Sequence, residues 1–330
     1  MKTNHLCISL ILCSILCFDN GFGQNSAWKK LESSPPGEIL SVNSRGVLFA
    51  SSYLGMYCSL NNGDTWIQLI SFSNPDKKGF PYTDGINCIL QFDESRMFIC
   101  TQYHGLQMST DNGASWLLFN NIPYASSALT VSRNHNGKIY FASGGGSYSS
   151  LDTGRSWHNL THGCNFLGAS KFSINGSNYI LHSNIIDGKS GAKNISLYDE
   201  AMDTCCDVSF PKDLEMPEIV SSNSSEYFVR DYWGNLFYST DNGISWHQSV
   251  NRLSEYLRCI IETPLGALIA AAENHGIFYS TDKGANWLKA TSQLGSNDIL
   301  SMVLHPSGIL FVGTRSGIFR ANTTVDNLCK

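Results

Sequence analysis

One eight-residue pattern, Ser-x-Asp-x-Gly-x-x-Trp, recurs along almost the whole chain. It occupies residues 109–116, 150–157, 239–246 and 280–287, and returns with Asn in place of Asp at 59–66. Recurrence of this kind constrains a fold more tightly than composition does, because each repeat is one small unit that must stack on its neighbours to bury a core. The third position falls at Asn61, Asp111, Asp152, Asp241 and Asp282, with spacings of 50, 41, 89 and 41 residues. The long gap holds a degenerate copy, Leu197-Tyr198-Asp199-Glu200, 47 residues after Asp152 and 42 before Asp241. A final decayed copy ends at Asn322, 40 residues beyond Asp282, which brings the expected number of repeats to seven.

The motif has the chemistry of a hairpin turn. A carboxylate accepts hydrogen bonds from backbone N–H groups just ahead of it, and a glycine two residues later takes the positive φ that a side chain resists. Asn61, Asp111, Asp152, Asp241 and Asp282 are therefore expected to be structural, each occupied by its own turn. The Trp that follows opens the next strand and offers a large apolar body suited to a wedge between sheets. Around each turn the sequence reads as four short strands. Residues 256–262, 267–272, 276–280 and 286–290 form the clearest set, and 39–43, 47–51, 55–60 and 65–70 repeat it. No helix of useful length is signalled.

These residues resemble the Asp-box, or BNR, repeat. That family includes sialidases, xyloglucan-degrading glycosidases, sortilin-type receptors and photosystem II stability/assembly factors, all β-propellers with the box in a turn of each blade. The resemblance implies an all-β, seven-bladed β-propeller of four-stranded antiparallel blades spanning 24–330. The two ends complement each other. The last repeat has three strands (299–305, 309–313 and 317–321) and no Trp, whereas Ala27-Trp28-Lys29-Lys30-Leu31 matches the start of a fourth strand with no strands before it. The N-terminal strand is expected to complete the last blade and close the ring, which removes two exposed sheet edges.

The first residues read as a signal peptide over 1–23, with a basic start at Lys2, an apolar run over 6–18 and a small-residue site at 21–23. The run is shorter than the roughly 20 residues a membrane helix needs. The mature chain is expected to be secreted or periplasmic, without a membrane span, and a monomer. Net charge is −5 and charged residues are only 15% of the chain, with no basic cluster, so nucleic acid is excluded as a partner. Cys7, Cys13 and Cys17 lie in the signal segment. Cys58, Cys88, Cys100, Cys164, Cys205, Cys206, Cys259 and Cys329 remain in a compartment that permits disulfides. Cys88 and Cys100 flank the turn at 93–95 symmetrically and are either a cross-hairpin pair or two small buried hydrophobes. No Cys-x-x-Cys or paired His spacing suggests a metal, and no cofactor is expected.

In this topology the box turns lie on one face and the turns between second and third strands lie on the other, around the mouth of the channel. The candidate ligand-binding residues there are Tyr53, Tyr103, His104, Arg230, Tyr232, Trp233, Glu273, His275 and Arg315. Tyr, Trp and Arg are the side chains that anchor binding sites for proteins and sugars alike. A sialidase would need an arginine triad and a Tyr activated by Glu. Arg230, Arg258 and Arg315 with Tyr232 and Glu273 supply the residue types, but Arg258 falls within a strand and the Arg-Ile-Pro of that family is absent. A two-carboxylate mechanism through Asp84, Asp231, Glu273 or Asp298 is the other catalytic option. The reading adopted is a non-catalytic binding module for a protein or glycan, with a sialidase- or xyloglucanase-like glycoside hydrolase as the alternative.

Overall fold

The computed structural model describes residues 27–328, except 72–84, 120–121, 123–127, 135, 144–145, 161–171, 175–178, 186–192, 200–203, 212–213, 215–217, 223–225, 242, 252, 254–256, 273, 291–293 and 295–297. The segment read as a signal peptide therefore lies outside the described residues.

The chain opens with β1 (Trp28–Lys30) and then builds β2 (Ile39–Val42), β3 (Leu48–Ser52), β4 (Gly55–Ser59) and β5 (Ile67–Ser71) into one sheet. A second sheet holds β6 (Ile86–Gln91), β7 (Met97–Thr101), β8 (Gly105–Ser109) and β9 (Leu117–Leu118). The next holds β10 (Ala128–Arg133), β11 (Ile139–Ser143), β12 (Gly146–Ser150) and β13 (His158–Asn159). After it come β14 (Phe172–Ile174), β15 (Tyr179–Ile185), β16 (Lys193–Asp199) and β17 (Thr204–Asp207). Then follow β18 (Glu218–Ile219), β19 (Ser221–Ser222), β20 (Tyr227–Arg230), β21 (Leu236–Ser239) and β22 (His247–Gln248). Strands β23 (Leu257–Glu262), β24 (Leu268–Ala272), β25 (Gly276–Ser280) and β26 (Leu288–Ala290) precede β27 (Ile299–Leu304), β28 (Ile309–Thr314), β29 (Gly317–Thr324) and a single helical turn, α1 (Val325–Leu328).

The expectation of seven uniform four-stranded antiparallel blades is corrected. Among the described residues there are six such blades, and the sheet built on β23–β26 has five strands, in the order β19-β23-β24-β25-β26. Its extra strand pairs parallel, Ser221 with Cys259 and Ser222 with Ile260. The cause lies in how the innermost strands meet. They are neighbours in ring order, β27 beside β2, β2 beside β6, β6 beside β10, and β23 beside β27, and around a closed ring all of them run in the same direction. Strand β18 pairs with β20 of its own blade (Ile219 with Val229), and Val220 N–H continues onto Phe228 O at 2.9 Å. Beyond Val220 the same run of chain crosses to the adjacent inner strand. It thus stitches two blades through main-chain bonds, and parallel pairing is what co-directional inner strands allow.

The last sheet has the order β1-β29-β28-β27, with Trp28 opposite Ala321 and Lys30 opposite Phe319. The N-terminal strand therefore covers the edge of β29. The decayed box at 322–324 differs from its expected turn: β29 continues through it to Thr324, which pairs with Ile309 beyond a bulge that leaves residues 321–323 out of register with β28. Where the intact motif has Gly this copy has Thr324, so no residue there readily takes a positive φ and the strand continues.

The core is a set of apolar clusters wedged between successive sheets, and each box Trp lies against the sheet before its own. Trp287 meets Phe228 edge-on at 6.4 Å, Trp157 meets Phe119 at 5.9 Å, and Trp246 packs on Phe210 at 4.9 Å. Trp66 packs with Leu31 and Phe311 of the last blade, and Trp28 lies with Ile261, Ile269 and Ile277. The outermost strands β9, β13 and β22 are two residues long, and short edges limit edge-to-edge association.

Candidate functional site

The two faces of the ring are built by different turns, and the box turns come first because they are the more regular. In the turn at Asp111, Ser109 Oγ accepts Gly113 N–H at 2.7 Å and donates to Asp111 Oδ1 at 2.8 Å. Asp111 Oδ1 also accepts Ser115 N–H at 2.8 Å, and Oδ2 accepts Ser115 Oγ at 2.6 Å. The same bonds recur at Asp152, Asp241 and Asp282, where Asn286 Nδ2 replaces the serine hydroxyl at 2.7 Å. Asn61 keeps the geometry with one donor reversed: its Oδ1 accepts Thr65 N–H at 2.9 Å, and its Nδ2 donates to Thr65 Oγ1 at 2.9 Å. Hydrogen bonds from Ser115 hold the Asp111 carboxyl below its usual range, and those from Ser156 bring Asp152 down to about 2. At Asp241 and Asp282 burial pushes upward but the same bonds outweigh it, so both are lowered.

Two features of these turns escaped the sequence reading. The serine that opens the motif caps the glycine N–H, and the residue between Asp and Gly also sits at positive φ, 58° at Asn112, 61° at Thr153 and 58° at Lys283. Two successive positive φ values define a type I′ turn, the form whose twist matches a hairpin. The indoles of Trp66, Trp246 and Trp287 donate to the box glycine carbonyl at 3.0 Å, whereas the buried Nε1 atoms of Trp116 and Trp157 have no hydrogen-bond partner. The box face is also tied laterally. Asn43 Nδ2 donates to Glu94 O at 3.0 Å, Ser249 Oγ to Gly284 O at 2.5 Å, and Arg320 to Asn62 O at 2.8 Å.

The opposite face is built on a second repeated device. The third strand of most blades begins with a glycine at positive φ: Gly55 (139°), Gly105 (74°), Gly146 (144°), Gly276 (96°) and Gly317 (132°). At Gly55 a Cβ would lie 1.9 Å from Ile70 O, so only glycine fits. The two residues before Gly55, Gly105, Gly276 and Gly317 form the tip of the turn, and they hold most of the candidate residues. Tyr53 (68% exposed) precedes Gly55, and Tyr103 (56%) with the half-buried His104 precedes Gly105. The exposed His275 precedes Gly276, and the exposed Arg315 stands two residues before Gly317. A sequence signal was present, since each of Gly55, Gly105, Gly146 and Gly276 stands four residues ahead of the box serine.

The β20–β21 turn, residues 231–235, carries Tyr232 and Trp233, 52% and 51% exposed, with rings T-shaped at 5.3 Å. Asp231 is buried and braces it. Its Oδ1 accepts Asn235 N–H at 2.8 Å and its Oδ2 accepts Asn235 Nδ2 at 2.6 Å. A carboxylate occupied in this way is a turn anchor, which removes Asp231 from the two-carboxylate option. Arg230 ends β20 half-buried. Glu273 and Asp84 lie outside the described residues; Asp298 is half-buried just ahead of β27.

Four inner strands carry a bulge at the mouth end, between Ile86 and Cys88, Ala128 and Thr130, Leu257 and Cys259, and Ile299 and Ser301. A bulge adds one residue and re-aims its side chain. The added residues are Asn87, Leu129, Arg258 and Leu300, of which Asn87 and Arg258 are exposed. Asn87 Nδ2 reaches the next inner strand at Ala128 O, 2.7 Å away. Arg258 is thus a residue of the mouth that a strand assignment alone concealed. The turns stand on different blades, and the side chains brought into ring contact are Tyr232 and Trp233. On the box side a cleft of about 680 Å³ opens between the β6–β9 and β10–β13 blades, lined by Arg96, Met108, Leu117, Leu118, Asp152 and Arg155 among others. Among the described residues no three His, Cys, Asp or Glu side chains group as metal ligands, and no helix is long and apolar enough to cross a membrane.

Residues 237–248 match the BNR/Asp-box repeat family. The chain therefore carries this repeat on a propeller fold. No curated protein matches the sequence. Among solved structures, the extracellular domain of the one-component system BT4673 from B. thetaiotaomicron superposes with a TM-score of 0.67 at 13% identity, over 90% of this chain and 40% of that one. The chain thus spans well under half the length of that protein. YCF48 bound to the D1 peptide gives 0.66 at 14% identity, over 91% and 96%. An inactive variant of virginiamycin B lyase from Staphylococcus aureus with quinupristin gives 0.64 at 12%, over 89% and 98%. At these identities the likeness is one of fold.

Proposed function

We propose that this chain is an exported, non-catalytic binding module that engages a segment of a partner protein at the mouth face. The observation that carries this reading is the Tyr232–Trp233 pair, two half-exposed rings in edge-to-face contact on a turn braced by the buried Asp231. Rigid aromatics with a polar edge give large contact area at low entropic cost, and they are the commonest binding anchors together with arginine. Tyr53, Tyr103, His104, His275, Arg230, Arg258 and Arg315 surround the channel on the same end of their sheets and complete an aromatic and cationic rim. Full-length likeness to a propeller solved with a peptide bound favours a peptide over a glycan. Likeness to an extracellular domain, together with the N-terminal apolar run, supports export. A glycan ligand and a glycoside hydrolase remain outcomes of the test.

The experiment pairs peptide and glycan arrays with a panel of fluorogenic sialosides and β-glucan oligosaccharides. Peptide binding without turnover, weakened by Trp233→Ala in a protein that melts normally, is the expected result. Turnover abolished by Glu273→Gln or Asp298→Asn would sink the non-catalytic reading. Glycan binding with no peptide hits would move the ligand class and leave the site in place.

A further inference from the structure

We infer that Cys88 and Cys100 form a disulfide in the mature protein, joining inner strand β6 to β7; the biological setting rests on the export reading above. The two are direct register partners in an antiparallel pair. Opposed residues in such a pair place their Cα atoms about 4.5–5.5 Å apart with side chains on one face, inside the roughly 4.4–6.8 Å window that a disulfide spans. Both thiols lie in one apolar cluster with Phe98, Leu106 and Val131. Cys88 Sγ now donates to Val131 O at 3.5 Å, so bonding needs a side-chain rotation and no change of register.

The other bulged blades supply an internal comparison. The residue after each bulge faces a small partner: Thr130 faces Ala142, Cys259 faces Ala271 and Ser301 faces Gly313. In all four blades the position holds short side chains on both strands, of the size an S–S bridge requires. Among these four equivalent pairs, thiols stand on both strands only at 88 and 100. Cys259 has the same place in its own blade and an alanine opposite, so it serves as the control.

The chemistry is thiol–disulfide exchange with a small disulfide oxidant such as oxidised glutathione. The Cys88 thiolate attacks the oxidant and releases one glutathione thiol. The Cys100 thiolate then attacks Cys88 Sγ and releases the second, so two protons and two electrons leave the protein and one external disulfide becomes two thiols. Cys100 is fully buried in the folded chain, and burial pushes its thiol well above the usual range. The bond therefore forms while the β6–β7 hairpin is assembled and the next blade has not yet covered it.

The test refolds the whole chain from the reduced, denatured state in a glutathione redox buffer, traps thiols with iodoacetamide and digests with trypsin. Cleavage at Lys78, Arg96 and Arg133 releases residues 79–96 and 97–133, which carry Cys88 and Cys100 as their only cysteines. The expected product is one cross-linked species about 2 Da below the sum of the two peptides, split by reductant, with Cys259 alkylated. In parallel, reductant should lower the melting temperature of the wild type by about 5 °C, as closure of a short loop implies, and leave Cys88→Ala/Cys100→Ala unmoved. Two separately alkylated peptides, or a cross-link from either cysteine to another partner, would overturn the assignment. The oxidant is supplied in the buffer, so a negative result counts against the disulfide and leaves the export reading standing.

Discussion

The two ends of this ring are made from the same hairpins and teach opposite lessons. On the box face each turn repeats one set of bonds, with Ser capping Gly, Asp gripping the residue four ahead and Trp wedged against the preceding sheet. On the mouth face the backbone is almost as regular, with a positive-φ glycine opening the third strand, yet the two residues before it change from Tyr53 and Leu54 to Tyr103 and His104 to Arg315 and Ser316. Side chains that bond to their own turn are constrained by the fold. Side chains at the tip of a glycine turn contribute little to it, and so they are free to differ and to meet a ligand.

Five experiments would break or sharpen that contrast. The largest effect is expected from removing residues 27–34. This strips β1 from β29 along with the Leu31 N–H bond to Ile318 O at 2.9 Å, and exposes an eight-residue edge strand. The truncated protein should aggregate and lose its cooperative melt; a monodisperse peak in light scattering with an unchanged transition would refute ring closure as the source of stability. Next is Trp246→Ala, which empties a site 6% exposed beside Phe210 and Phe237 and should cost about 3–4 kcal/mol in urea unfolding.

Smaller again is Asp241→Ala, about 1 kcal/mol, because the Ser245 donors it strands can still reach water. Ligand binding should be unchanged, and an Asp241→Ala protein of normal stability that bound nothing would erase the distinction between the faces. These carboxylates also carry a pH signature. Their folded pKa values lie below the unfolded value near 3.9, so their stabilisation is complete above about pH 4 and is lost as pH falls towards the folded value, about 2 at Asp152. Asp152→Asn should fold, as the Asn61 turn does, and melt with a shallower loss between pH 4 and 2. The smallest effect on the fold belongs to Trp233→Ala, within about 0.5 kcal/mol of wild type, although its ligand affinity should fall roughly thirtyfold or more by calorimetry.

Much of this was legible in the residues because a box is local. Ser, Asp, Gly and Trp lie within eight positions, their bonds close inside the turn, and counting them located most strands to within a residue or two, β29 excepted; Trp28, with no strands ahead of it in its own repeat, likewise announced that the two ends meet. What depended on distant contacts was not legible. The five-stranded sheet arises because inner strands converge in parallel at the axis and let Ser221 and Ser222 change partners. Strand β29 bulges through its decayed box and does not turn there, because no glycine breaks the strand before Thr324 pairs with Ile309. Asp231 resembled a candidate acid until its turn closed on Asn235, and Arg258 resembled an ordinary strand residue until a bulge placed it at the mouth. Local bonds are written within one repeat, so sequence alone determined the repeat and its turns; strand partnership and side-chain direction are set between repeats, and only the packed ring decided them.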